Sequence, residues 1–263
     1  MKAKISLALR KAPSGSQTAN GHIGQDQTDS FHSPTPNRTD TDTPLKGVQL
    51  SGVRSIRHGW SMSLDRQKEI VRTYSVLMDE VKSRLSWISY VVGGHSGLDP
   101  VVARESAHLQ IRMICELVAL GCLVAHGDIE EATAPKLLGM WNASALLKAL
   151  EAVNPSFFPR PQAPPVRTTE GWHFPDVQVE CLTKDQFVTL YGRSGDVLHR
   201  GNLKNLLIEK RTLDGEMVDV VAAYEALAKL LYVHRISMLD GSVQFVCLLE
   251  GDGGKVRTVF AGG

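Results

Sequence analysis

Apolar residues recur at helical spacing along most of the chain after residue 62. From Ser63 to Val92 they stand every three or four positions with charged residues between them, the pattern of an amphipathic helix. Ser63 provides an N-cap for this helix, and Gly93-Gly94 provides its end. The segment therefore predicts a helix of about seven turns.

A second helix is predicted to open at Asp99-Pro100, with proline at the first helical position, and to end at Gly127-Asp128. Between Leu109 and Val124 this helix is apolar on nearly all sides, which is typical of a helix surrounded by others. We expect it to be the central and most buried helix.

The same periodicity predicts three further helices. One runs from about residue 130 to 150 and places Trp141 in the core. The next runs from Lys184 to about Arg200 with Thr183 as its N-cap, and the last covers residues 217–233. Five prolines between residues 154 and 165 predict an extended connector ahead of Thr183.

Both ends of the chain differ from this helical middle. Residues 235–263 contain three β-type runs separated by glycine-rich turns, which predict a three-stranded antiparallel meander. Residues 1–45 are rich in small polar residues and proline, which predicts a disordered tail because little apolar surface can be buried. The fold class is thus mainly α: a disordered tail over 1–45, then a domain over 46–263 with about five helices in a bundle and the meander.

The charge balance, the cysteine spacing and the hydrophobicity of the segments limit the classes of function that this chain could have. Lys and Arg number 29 against 28 Asp and Glu, which argues against a strongly cationic nucleic-acid packager, and any nucleic-acid binding must use a local patch. The four cysteines form no CxxC pair, which favours buried free thiols in a reducing cytosol over a zinc site. No segment has the pattern of a signal peptide or a membrane span. We expect a cytoplasmic protein without a metal or another cofactor.

The residues with the strongest chemical signal lie between positions 191 and 202. Arg193 offers donors that match phosphate oxygens, and Asp196 stands one turn before His199, where a carboxylate can orient an imidazole for proton transfer. These three are the predicted catalytic residues. Residues predicted to bind substrate beside them are Tyr191, Arg200 and Asn202.

The spacing of Arg193 and His199 is a geometric difficulty. Six residues apart on an ideal helix, the two side chains diverge by about 120°. Both could reach one ligand if the helix unwound at Gly192 or Gly195, or if two copies of the chain formed one site.

A second group of charged residues lies within the most apolar helix. His108, Arg112 and Glu116 follow one another at intervals of four residues, with Arg104 and Glu105 one turn earlier. Because a buried charge is costly unless it is paired, Arg112 and Glu116 should form an ion pair or face a polar pocket. One interpretation is an internal staple; the other is that both line the same cleft as His199 and bind substrate.

Between Arg193 and His199 the chain resembles the HEPN superfamily, whose members are helical bundles with an Arg-x(4–6)-His motif on a late helix. Arg193 to His199 fits this motif as Arg-x5-His, and the resemblance covers roughly residues 63–235. It implies a homodimer that cleaves RNA without a metal, with Arg193 on the scissile phosphate and His199 in proton transfer. A role in defence or in a toxin–antitoxin system, with a cognate antitoxin or partner protein, would follow from the same resemblance.

The alternative is a helical interaction or scaffold protein without catalysis. In that interpretation His199 is a helix-terminal histidine placed favourably against the helix dipole. The two hypotheses differ in whether Arg193, Asp196 and His199 meet in a cleft that solvent can reach.

Overall fold

The computed structural model describes residues 62–127, 129, 132, 135–169, 171–175, 177, 180–199, 217–239, 241 and 243–262. The predicted tail over 1–45 lies outside the described residues, as do Arg200 and Asn202.

Six helices occur in this part of the chain, and they confirm the mainly α prediction. Their bounds are α1 Leu64–Val92, α2 Pro100–Ala125, α3 Pro135–Leu138, α4 Ala143–Val153, α5 Lys184–Leu198 and α6 Val218–Leu231. Ser63 and Thr183 accept hydrogen bonds as N-caps at the predicted positions, and Asp99 caps α2 ahead of Pro100. Local signals at helix ends were therefore sufficient to place these three helices.

The predicted third helix is wrong as a single element. It consists of the one-turn α3 and the longer α4, separated around Gly139 and Asn142. Asn142 accepts a hydrogen bond from the backbone of Ala145 and starts a new helix. The break leaves Trp141 78% exposed, so the expectation that it lies in the core is also wrong.

The C-terminal sheet has four strands rather than the three predicted. Strands β4 Val233–Ser237, β5 Val243–Leu248 and β6 Arg257–Gly262 form the antiparallel meander, and β1 Arg160–Pro161 adds an edge strand beside β4. Because β1 lies at the edge, Pro161 interrupts no central ladder. The proline-rich connector also contains a hairpin of β2 Val166–Thr168 and β3 Gly171–His173.

Helix α2 lies at the centre of the core and packs against α1, α4, α5 and α6. As the sequence predicted, it is the most buried helix, with 13 of its 26 residues buried. By length and apolarity alone it could cross a membrane, but 61% of its most apolar window is buried inside the domain, which is also expected of the core helix of a soluble protein. Cys115 and Cys122 are buried free thiols on this helix, as predicted.

A buried tyrosine–histidine pair joins α1 to the sheet. His234 Nδ1 donates to the carbonyl of Leu231 at 2.8 Å, so its Nε2 is the atom that accepts from the Tyr74 hydroxyl at 2.6 Å. Phe245 packs edge-on against Tyr74, with ring centroids 4.7 Å apart. Burial lowers the pKa of His234 to about 4, because charging the imidazole here would cost hydration.

The lowered pKa of His234 predicts that the folded protein loses stability in acid. In the unfolded chain the imidazole binds a proton below pH 6.5, whereas in the folded chain it does so only near pH 4. The unfolded state therefore takes up the proton first, and the free energy of unfolding falls between these pH values by about 3 kcal/mol. Urea unfolding of the wild type and of His234→Gln across this window measures the effect.

The glutamine variant keeps an acceptor for Tyr74 but does not titrate, so its stability should depend less on pH by that amount. Replacing the exposed His173 by glutamine is the matched control and should leave the wild-type slope unchanged. Equal slopes for wild type and His234→Gln would contradict the assignment.

Candidate functional site

Helix α5 carries the Arg-x5-His motif and is regular throughout. Thr183 and Gln186 form a reciprocal capping box at its start, and the helix continues through Gly192 and Gly195 to Leu198. His199 is the C-cap, and its backbone N–H donates to the carbonyl of Gly195. The helix is therefore not unwound at Gly192 or Gly195, which was one of the two ways in which Arg193 and His199 could reach one ligand.

One side of α5 is fixed against α2. Its buried residues are Phe187, Tyr191, Ser194 and Gly195. Phe187 and Tyr191 supply apolar area, while the two small residues allow the helices to approach closely. The packing of α5 therefore uses residues other than Arg193, Asp196 and His199.

Arg112, Glu116 and Tyr191 form a polar network between α2 and α5. Arg112 Nη2 donates to the Tyr191 hydroxyl at 2.8 Å, and this hydroxyl donates to Glu116 Oε1 at 3.2 Å. Arg112 Nε lies 3.4 Å from the same carboxylate oxygen, and the guanidinium carbon lies 4.3 Å from the centre of the tyrosine ring. Burial raises the pKa of Tyr191, although the Arg112 charge opposes this, so the phenol stays protonated and can donate.

Gly195 makes room for this network. A Cβ atom at position 195 would lie 2.6 Å from Arg112 Nη1, well inside van der Waals contact. The absence of a side chain lets the guanidinium lie against the backbone of α5. Arg112 and Glu116 thus act as an internal staple, as one of the two sequence interpretations proposed.

The motif side chains lie on the outer side of α5. Arg193, Asp196 and His199 are all exposed. Successive members are three residues apart, which turns each by about 60° from the last and leaves Arg193 and His199 about 120° apart. Within the described residues, no hydrogen bond or ion pair joins Asp196 to His199 or to Arg193. The structure therefore exposes all three side chains to solvent without bringing them together.

A second polar cluster joins α2 to the start of α6. Asp219 Oδ2 accepts from Arg104 Nη2 at 2.6 Å and lies 3.2 Å from His108 Nε2. Desolvation acts to raise the pKa of Asp219, but the hydrogen bond and charge of Arg104 lower it overall. Desolvation lowers the pKa of His108 in spite of the nearby carboxylate, so the neutral ring donates from Nε2.

These two clusters form one polar row along α2. Arg104, His108, Arg112 and Glu116 are spaced by four residues, so the row spans about 18 Å of helix. Tyr191 contacts Glu116 and Arg112, and the Arg112 guanidinium lies against Gly195, so α5 packs along the middle of this row. Sequence reasoning did not identify Asp219, because its partner His108 is 111 residues away and no local pattern links them.

Two buried polar atoms on this row, Arg104 Nε and His108 Nδ1, have no hydrogen-bond partner in the part of the chain that is described, and the same is true of Ser194 Oγ on α5. Arg200 and Asn202, two predicted substrate-binding residues, lie outside that part. Among the described residues, no group of three or more His, Cys, Asp or Glu side chains has the arrangement of a metal site.

The hydrogen bonds of the Tyr191 hydroxyl to Arg112 and Glu116 predict that Tyr191→Phe destabilises the folded protein. Removing the hydroxyl leaves Arg112 and Glu116 each without one hydrogen bond in a half-buried position, which should lower the free energy of unfolding by about 1–2 kcal/mol. Tyr232→Phe is the matched control, because Tyr232 is 51% exposed and its hydroxyl only reaches Glu250 at 3.5 Å. Urea unfolding should show a change below about 0.5 kcal/mol for the control. Equal effects of the two variants would argue against the staple.

Comparison of the chain with protein-family models, with curated proteins and with solved structures finds no match in any of the three. The functional interpretation therefore depends on the residues of α5 and on the helical architecture around them. The likeness to the HEPN superfamily remains a resemblance carried by Arg193 and His199.

Proposed function

We propose that this protein is a HEPN-like RNA-binding domain that uses the outer side of α5 to contact the phosphodiester backbone and cleaves RNA without a metal. The observation that carries the proposal is that Arg193, Asp196 and His199 are exposed together on a helix whose packing does not use them. Side chains that stabilise the fold would be expected on the inner side, beside Tyr191. Here the fold is stabilised by other residues, and the motif is left available for a ligand.

Arg193 is suited to hold the phosphate. Its guanidinium presents paired donors in the geometry of two phosphate oxygens and keeps its charge at any physiological pH. The chain carries a net charge of only +1, so binding would depend on a few local contacts and would fall with added salt accordingly.

A single copy of α5 presents Arg193 and His199 in different directions. The helix is continuous between them, so a phosphate held by Arg193 would be beyond the reach of His199 on the same chain. Two copies with their α5 helices side by side would bring the arginine of one chain to the histidine of the other. The proposed active species is therefore a homodimer with shared sites.

The proposed reaction follows from these side chains. Neutral His199 takes the proton from a ribose 2′-hydroxyl, whose oxygen attacks the adjacent phosphorus while Arg193 binds the nonbridging oxygens. The bond to the 5′ oxygen breaks, and that oxygen takes up a proton from water as it leaves, while His199 returns its proton to the solvent. The products are a 2′,3′-cyclic phosphate and a 5′-hydroxyl end, and no metal takes part.

Cleavage of RNA in EDTA tests the proposal. Wild-type protein should cut single-stranded RNA and leave 2′,3′-cyclic phosphate ends, and His199→Ala should lower the rate by about 10²–10⁴-fold. The unfolding temperature of His199→Ala should match that of the wild type, because His199 is exposed. Asp196→Asn should strengthen RNA binding by removing a negative charge beside the phosphate, and should slow cleavage if the carboxylate orients His199.

Two control variants match the test variants in chemistry. His173→Ala removes an exposed histidine from β3, and Arg72→Ala removes an exposed arginine from α1. Both should cleave like the wild type, whereas Arg193→Ala should lose RNA affinity. Intact RNA after incubation with pure wild-type protein, or equal rates for His199→Ala and His173→Ala, would overturn the nuclease proposal.

The second candidate function is a helical interaction module without catalysis. It is favoured by the exposed turn between α3 and α4, where Leu138 is 61% and Trp141 78% exposed. Tryptophan at such a position commonly anchors a protein interface. If the protein neither cleaved nor bound RNA, the interaction module would be the better account, with a partner protein bound at this turn.

A further inference from the structure

A stripe of apolar side chains reaches solvent along α2, the helix that is otherwise the most buried. Val102, Leu109 and Leu120 are exposed, and Met113 is half-buried. At about 100° per residue these four side chains point within about 40° of one another, so they share one face of the helix. Exposed apolar residues on a monomeric surface are normally scattered, so a stripe indicates a surface that another molecule covers.

Helices α1 and α5 border this stripe on opposite sides. On one side, Trp87 Nε1 of α1 donates to Ser106 Oγ of α2 at 3.0 Å. On the other side, the Tyr191 hydroxyl of α5 donates to Glu116 at 3.2 Å. Ser106 and Glu116 point about 40° to either side of the centre of the stripe. The stripe is therefore the middle of a surface that three helices form.

The outward-facing residues of α2 have the spacing of a coiled coil. They follow one another at intervals of four, three, four, three and four residues, as side chains do along the contact line of two paired helices. The intervals read the same in both directions, and their midpoint is residue 111. We call these six residues the α2 seam: Val102, Ser106, Leu109, Met113, Glu116 and Leu120.

Such a seam fits a second copy of itself in antiparallel orientation. About a two-fold axis at residue 111, Val102 packs on Leu120 of the second copy, and Leu109 packs on its Met113. The seam is about 27 Å long, and three neighbouring helices give the surface a width of about 25–30 Å. The resulting area, about 700–800 Å², is close to the roughly 800 Å² per partner that stable interfaces bury.

The polar positions of the seam favour the antiparallel orientation over a parallel one. In the antiparallel pair, Ser106 meets Glu116 of the second copy. Ser106 Oγ accepts its hydrogen bond from Trp87, so its own O–H can donate to that carboxylate. A parallel pair would instead place the two Glu116 side chains opposite one another, and like charges across an interface are destabilising.

The antiparallel pair also places the two α5 helices together. Its two-fold axis lies between the α2 helices and at right angles to them, which keeps α5 of both copies on the same side. Gly195 lies against Arg112, one residue from the midpoint of the seam, so the Arg-x5-His motif is close to the level of the axis. A parallel pair would put the two motifs on opposite sides of the interface.

We infer that α2 is the dimerisation helix of this protein and that a second copy of the chain binds the α2 seam in antiparallel orientation. The inference rests on the proposed function in one respect, because shared sites require two copies. Trp87 borders the seam, and Tyr90 stacks beside it with ring centroids 5.7 Å apart. Exposed aromatic side chains of this kind are common anchors of protein interfaces.

Sedimentation of the full-length protein tests the inference without RNA. The wild type should be a dimer at micromolar concentration. Leu109→Glu should raise the dissociation constant by about 100-fold or more, because it puts a carboxylate into an apolar contact. Leu239→Glu is the matched control, since Leu239 is equally a surface leucine but lies on the turn after β4. The control should remain a dimer, and both variants should keep the unfolding temperature of the isolated chain.

A pair of opposite charges tests the orientation of the two helices. Leu109→Lys and Met113→Glu should each be monomeric alone, because each puts a charge against an apolar side chain. Mixed in equal amounts, they should form a heterodimer in which the new ammonium at position 109 meets the new carboxylate at position 113. A parallel pair would bring each position to its own equivalent and would not be restored. Recovery on mixing also shows that the single variants are folded.

Three results would overturn the inference. They are a wild type that stays monomeric at its highest soluble concentration, a Leu109→Glu dimer as stable as that of the wild type, and a failure of the two charged variants to pair. The nuclease proposal fails separately. A dimer that pairs as described but leaves RNA intact would support the seam and remove only the cleavage reaction.

Discussion

The structure depends on how charged residues are accommodated on its most buried helix. Helix α2 packs against four other helices, yet it carries Arg104, His108, Arg112 and Glu116 in one row. Such groups are tolerated in a core only when other elements supply hydrogen-bond partners. Tyr191 of α5 and Asp219 of α6 supply them, so satisfying this row also fixes where both helices dock.

This constraint explains why the motif of α5 is exposed. The inner side of α5 is occupied by the tyrosine hydroxyl and by the space that Gly195 leaves for the Arg112 guanidinium. The helix can therefore rotate little about its axis without breaking the network, and Arg193, Asp196 and His199 are held toward solvent.

Features decided by neighbouring residues could be predicted from the sequence, and those decided by distant residues could not. The N-caps Ser63 and Thr183 were predicted correctly because each acts within one turn. Strand β1 was missed because a two-residue proline-containing segment becomes a strand only by pairing with β4, some 75 residues later. The pairing of Arg112 with Glu116 was expected from their spacing, whereas the contributions of Tyr191 and Asp219 depend on how the helices pack.

A double-mutant cycle on Glu116→Gln and Tyr191→Phe tests the docking of α5 on α2 most directly. The two residues lie on different helices, 75 positions apart, and meet through the tyrosine hydroxyl. If α5 docks as described, unfolding free energies should show a coupling of about 1 kcal/mol or more between the two substitutions. Additive effects, with a coupling near zero, would mean that the hydroxyl does not contact Glu116 and that α5 faces α2 with a different side.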